Sequence, residues 1–204
     1  MRHRLTRAVT AVAVITLPAT VGAYPASAGT MAQEPSNVAA LVHLGSAGTG
    51  CKKDSVQATE LPDGSLGLTY PDLALKAAGH RTCGSIFELD PPEGWTAAVP
   101  GVRLAGTGHL VGSAKATLTT STYFGGASPD EVAETGTTMS SLRGTYRVRN
   151  DFPVERLAFQ PCGRKTFLNI DVVIGLETDK VPSTFALRQL VVSPADFVYR
   201  QCPR

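Results

Sequence analysis

Basic clusters, long apolar runs and aromatic side chains are all scarce in this chain of 204 residues. Lysine and arginine total 19 against 17 acids and are scattered, so no electrostatic footprint for nucleic acid or an anionic membrane is present. The longest apolar run, Ala8 to Leu17, is about half of the ~20 residues a spanning helix needs, so no membrane span is expected in the mature form. The cysteines number four and form no C-x-x-C pair, which argues against a zinc site. No G-x-S-x-G elbow occurs, and His43, His80 and His109 stand isolated, so a hydrolytic triad is not indicated. Gly45-Ser46-Ala47-Gly48-Thr49-Gly50 is followed by Cys51, where a phosphate-binding loop needs lysine. No N-x-S/T sequon is present.

What is present begins with an address. Arg2, Arg4 and Arg7 precede the apolar run, and Ala26-Ser27-Ala28 supplies small residues at the spacing signal peptidase reads. A signal peptide over residues 1–28 is therefore expected, with a secreted, extracellular product. Cleavage would remove three arginines and turn the formal charge of +2 into about −1. No cysteine sits just after the cleavage site and no twin arginine precedes it, which points to general secretion without a lipid anchor. Residues 29–44 read as a leader merging into a first strand or a short helix, with strand favoured. Residues 45–204 read as one domain, large enough for a real core.

In an oxidising compartment the even count of Cys51, Cys83, Cys162 and Cys202 favours two disulfides. Three connectivities are possible. Cys51–Cys83 with Cys162–Cys202 is favoured, because each pair closes a local unit at one end of the domain.

The pattern after Cys51 is β throughout. Ser55–Leu61 and Ser65–Tyr70 flank Pro62-Asp63-Gly64, a hairpin signature. From Ala114 to Phe124, Ala116, Leu118, Thr120, Thr122 and Phe124 alternate with Lys115, Thr117, Thr119, Ser121 and Tyr123. In the next clear strand Leu168, Ile170, Val172, Ile174 and Leu176 face one way, with Asn169 and Asp171 opposite. Further strands are expected over Thr137–Val148 and Val154–Phe159, and the one short helical candidate is Ser128–Ala133. The fold expectation is all-β: an antiparallel β-sandwich of about ten strands.

Several short motifs recur in a familiar order. Gly48-Thr49-Gly50-Cys51, Arg81-Thr82-Cys83, Pro92-Glu93-Gly94-Trp95, Pro161-Cys162-Gly163, Leu168-Asn169-Ile170 and a terminal Tyr199-Arg200-Gln201-Cys202 follow one another. Over roughly Leu44 to Cys202 the chain resembles the secreted bacterial and fungal family catalogued as domain of unknown function 4360. The resemblance implies a mostly β, disulfide-bearing domain with no assigned activity, and it carries no catalytic residues over. The stretch between the last two cysteines is shorter here than is usual in that family.

Candidate chemistry is confined to carboxylates and hydroxyls. Glu88, Asp90 and Glu93 crowd the end of one strand, and Asp171 lies on the polar face of another. Glu88 and Asp90 at i, i+2 share a strand face about 7 Å apart, within the range of a glycosidase acid pair. They could equally hold calcium, the better of those two readings, or be a solvated strand end. Thr117 and Thr119 could offer hydroxyls to a polysaccharide, although threonine is also an ordinary strand residue. Trp95 reads as core. No cofactor is required.

These features favour a non-catalytic extracellular module that binds at a cell surface or matrix, with glycan or protein as partner. The competing readings are a polysaccharide hydrolase or lyase using the strand-end carboxylates, and a secreted effector or inhibitor with a protein target. In the last case Ser128–Thr135 or Glu177–Ser183 would be the recognition loop. Carboxylates converging in a pocket would favour an enzyme, whereas a flat aromatic or threonine face would favour binding.

Overall fold

The computed structural model describes residues 38–179 and 181–203. The expected signal peptide lies outside these residues. Thirteen strands follow in order: β1 (Ala40–Ala47), β2 (Gln57–Glu60), β3 (Leu66–Thr69), β4 (Ala74–Leu75), β5 (Gly79–Asp90), β6 (Trp95–Ala98), β7 (Gly101–His109), β8 (Lys115–Phe124), β9 (Ala133–Met139), β10 (Arg143–Asp151), β11 (Phe167–Glu177), β12 (Thr184–Val192) and β13 (Val198–Gln201). They form a five-stranded sheet in the order β1-β5-β11-β8-β9 and a six-stranded sheet in the order β10-β7-β12-β3-β2, with β4 also on β12. A small β13-β6 ribbon completes the fold. All pairings are antiparallel.

Period-two alternation produces the sandwich. Leu168, Ile170, Val172, Ile174 and Leu176 of β11 are buried, as are Ala116, Leu118, Thr120, Thr122 and Phe124 of β8. They pack into one core with Leu104 of β7, Tyr146 of β10 and Phe185, Leu187, Leu190 and Val192 of β12. Tyr146 stacks on Phe185 at 5.2 Å and donates its hydroxyl to the Ala186 carbonyl. Its ring lies over Gly106, where a Cβ would overlap both that carbonyl and the tyrosine hydroxyl. One polar side chain ties the sheets together. Asn150 of β10, 2% exposed, donates to Thr120 Oγ1 at 3.0 Å and the Leu118 carbonyl at 3.2 Å, and accepts from Thr137 Oγ1 at 2.8 Å.

The expected hairpin is β2–β3: Gly64 adopts a left-handed φ of 74°, and the Ser65 N–H donates to Asp63 Oδ1. Both favoured disulfides are formed, Cys51–Cys83 and Cys162–Cys202, with Cα separations of 5.5 and 5.7 Å. The first is buried, whereas Cys162 at the second is exposed.

Two segments differ from expectation. Thr137–Val148 is two strands, the end of β9 and most of β10, because the chain bends over Ser140–Leu142 and turns back to pair with β7 instead of continuing along β8. Val154–Phe159 is no strand: Pro153 leads into a 3-10 turn over Val154–Arg156, and the chain stays irregular to Thr166. Proline at 153 and 161 lacks the N–H that a ladder needs. The strand favoured for the segment before Cys51 is β1, an edge strand that pairs with β5 across a bulge between His43 and Gly45.

Candidate functional site

Strand alternation places five of the sequence candidates on one surface, the solvent face of the five-stranded sheet. Glu88 and Asp90 project from β5, Asp171 from β11, and Thr117 and Thr119 from β8, all opposite the buried positions of those strands. Glu93 follows in the β5–β6 turn.

Large side chains share that face. Phe167 is directly opposite Glu88, which is opposite Val42; Ile86 is opposite Asn169, which is opposite Tyr123. Phe167 is 53% exposed, Val42 54% and Ile86 42%. Phe167 therefore lies on the diagonal from both Ile86 and Tyr123, about 7–8 Å away in a sheet. Around this cluster the ground is low. Gly84, opposite Asp171, and Gly175, opposite Thr117, supply no side chain, and the Asp171 carboxylate and Thr117 hydroxyl lie over those vacated positions. Tyr123 donates to Asp171 Oδ2 at 3.1 Å. Burial raises the Asp171 carboxyl above its ordinary value, opposed by the tyrosine hydrogen bond. Burial first, then the Asp171 charge, raises the Tyr123 hydroxyl.

Three hollows adjoin this face where the 152–166 connection wraps the end of the sandwich. Glu88 and Asp90 line a pocket of about 130 Å³ with Gln160, Lys165, Thr166 and Phe167. Gln160 is 8% exposed; its Oε1 and the Thr166 Oγ1 are buried without hydrogen-bond partners. Asp90 and Glu93 line a neighbouring groove of about 190 Å³ with Trp95, Arg164 and Lys165. Trp95 is thus partly buried at the edge of a groove rather than enclosed in the core. The third hollow, about 590 Å³, lies between the β8–β9 turn and the connection, and its lining includes Asp130, Glu131, Arg156, Phe159, Arg164 and Arg200.

The structure therefore brings Glu88, Asp90 and Glu93 to one end of the face, with Asp171, Thr117 and Thr119 along β11 and β8. Among the described residues no three His, Cys, Asp or Glu side chains are grouped to hold a metal ion. Also among them, no helix is long and apolar enough to cross a membrane.

Sequence reasoning passed over Phe167, although its odd register with Asn169 and Asp171 places it on the polar face. It also passed over the arginines of the large cleft, which carry no signal because they come from distant segments.

No curated protein matches the chain. Among solved structures it is similar to a family 11 carbohydrate-binding module from Clostridium thermocellum, in complex with a β-1,3-1,4-mixed-linked tetrasaccharide. The identity is 10% and the TM-score 0.25, over 78% of this chain and 90% of that one. That likeness is too distant to bear on the ligand. With residues 39–202 matched by the family model, the chain belongs to the DUF4360 family, a domain of unknown function.

Proposed function

We propose that the protein is an exported, non-catalytic module that binds glycan on the solvent face of its five-stranded sheet. One observation carries the reading: exposed Phe167 and Ile86 and the partly buried Tyr123 stand beside Glu88, Asn169, Asp171, Thr117 and Thr119 on one low surface. A pyranose ring presents a C–H face and a rim of hydroxyls. The apolar cluster suits the first, and the carboxylates, amide and threonine hydroxyls suit the second.

Retention of the protein on insoluble polysaccharides, compared between wild type and Phe167→Ala, tests this. Phe167 is half-exposed, so its truncation should leave the fold intact while weakening binding about tenfold or more. Unchanged retention by a folded Phe167→Ala variant would move the ligand elsewhere.

The hydrolase reading has one observation in its favour, the shared pocket of Glu88 and Asp90 beside Lys165. It requires glycan cleavage that Glu88→Gln or Asp90→Asn abolishes.

A further inference from the structure

The hollow between the β8–β9 turn and the 152–166 connection is built from elements far apart in sequence. Arg156 comes from the 3-10 turn after β10, Arg164 follows Cys162 by two residues, and Arg200 precedes Cys202 by two. The Cys162–Cys202 bridge therefore holds Arg164 and Arg200 on one wall. The Arg200 guanidinium carbon lies 3.7 Å from the centre of the Phe159 ring, a cation–π contact that restrains it at the cleft. The ion pairs among the described residues are made by Arg103 and Arg149; Arg156, Arg164 and Arg200 make none.

The opposite wall, from the β8–β9 turn, carries Asp130 and Glu131. Glu131 is oriented by Ser128, whose N–H and hydroxyl both donate to Oε2. Glu155 also lines the cleft, so three acids balance three arginines without pairing to them. A balanced lining does not suit a densely charged polyanion. It suits a unit with a single carboxylate and several hydroxyl donors.

The cleft is continuous with the sheet face. Tyr123 runs into Phe124 and Gly125, and Thr166 into Phe167; the Gly125 N–H donates to the Phe167 carbonyl at 2.9 Å at the junction. A chain lying over Phe167 and Tyr123 leads into it.

We infer that the cleft binds a uronic acid unit of an acidic glycan, its carboxylate on the Arg164 and Arg200 forks and its ring hydroxyls donating to Asp130 and Glu131. This narrows the glycan reading above and rests on it. The volume, about 590 Å³, lies in the range of small-ligand sites.

Calorimetric titration of the whole exported protein tests the assignment. The probes are galacturonic acid oligosaccharides, neutral galactose oligosaccharides of equal length, and an unblocked dipeptide. The uronides should bind more tightly than the neutral set. Arg164→Gln and Arg200→Gln should each weaken uronide binding about 10- to 100-fold, the loss of one charge-assisted bidentate contact. Both should leave neutral binding unchanged, whereas Phe167→Ala weakens both sugars. Arg164 is exposed, so its variant keeps the thermal midpoint of the wild type, and Arg164→Lys restores only part of the affinity.

Uronide affinity untouched by both arginine variants overturns the inference, as does a dipeptide bound as tightly as a uronide. Equal binding of neutral and acidic sugars overturns it while the sheet-face reading stands. No glycan binding of either kind overturns both.

Discussion

Single side chains decide how the two sheets stay together and how the protein responds to acid. Asn150 uses its amide in three hydrogen bonds that link β10 to β8 and β9. Asn150→Leu, similarly branched but bulkier and apolar, removes all three bonds and takes the amide partner from the buried Thr120 and partly buried Thr137 hydroxyls. The expected cost is about 2–4 kcal/mol in urea unfolding; a loss under about 1 kcal/mol would mean these groups find other partners. His43 is sensitive to mild acid. Burial lowers its pKa from 6.5, and its Nε2 lies 2.8 Å from Ser46 Oγ. The unfolded chain binds the proton first, so the contribution of His43 is complete above about pH 6.5. It declines as the pH falls toward the lowered native value. Urea midpoints measured at pH 7.5 and about pH 5 should converge in His43→Gln relative to wild type. Asp171 works in the opposite sense: its raised carboxyl favours the folded state as it protonates and costs stability once ionised.

Among the elements, the two disulfides differ in what surrounds them. Cys51 and Cys83 are 3% and 0% exposed, whereas Cys162 is exposed in the 152–166 connection. Rising concentrations of dithiothreitol, followed by alkylation and peptide mapping, should show the Cys162–Cys202 bridge opening first. Its opening frees the cleft wall without opening the sandwich, so sheet-face binding persists. Simultaneous reduction of both bridges would show that they break only with global unfolding. The same connection marks where sequence patterning misleads. Val154, Leu157 and Phe159 alternate loosely enough to read as a strand, but the prolines on either side deny it a ladder. β11 is the converse: five aliphatic residues at period two admit no other structure.

At the scale of the whole molecule, each disulfide restrains a loop of similar size, with separations of 32 and 40 residues. The chain-entropy model assigns roughly 3.5–4 kcal/mol to each. Replacing Cys51 and Cys83 together by alanine should cost more than replacing Cys162 and Cys202, because only the buried pair leaves a packing void. Equal losses in chemical unfolding would show that the bridges act through the unfolded chain alone.

Class and pairing were legible from residues. Alternation such as Ala116 to Phe124 sets which side chains are inside, and local closure selects Cys51–Cys83 and Cys162–Cys202. It also put Glu88, Asp90, Asp171, Thr117 and Thr119 on outward positions, strand by strand. Which strands become neighbours is a long-range matter, and no local pattern encodes it. Only the order β1-β5-β11-β8-β9 brings Glu88, Phe167, Asn169 and Tyr123 onto one surface, because cross-strand register joins residues some eighty positions apart. The cleft depends still more on tertiary structure, since Arg156, Arg164 and Arg200 meet where an irregular connection is stapled to the chain's last strand.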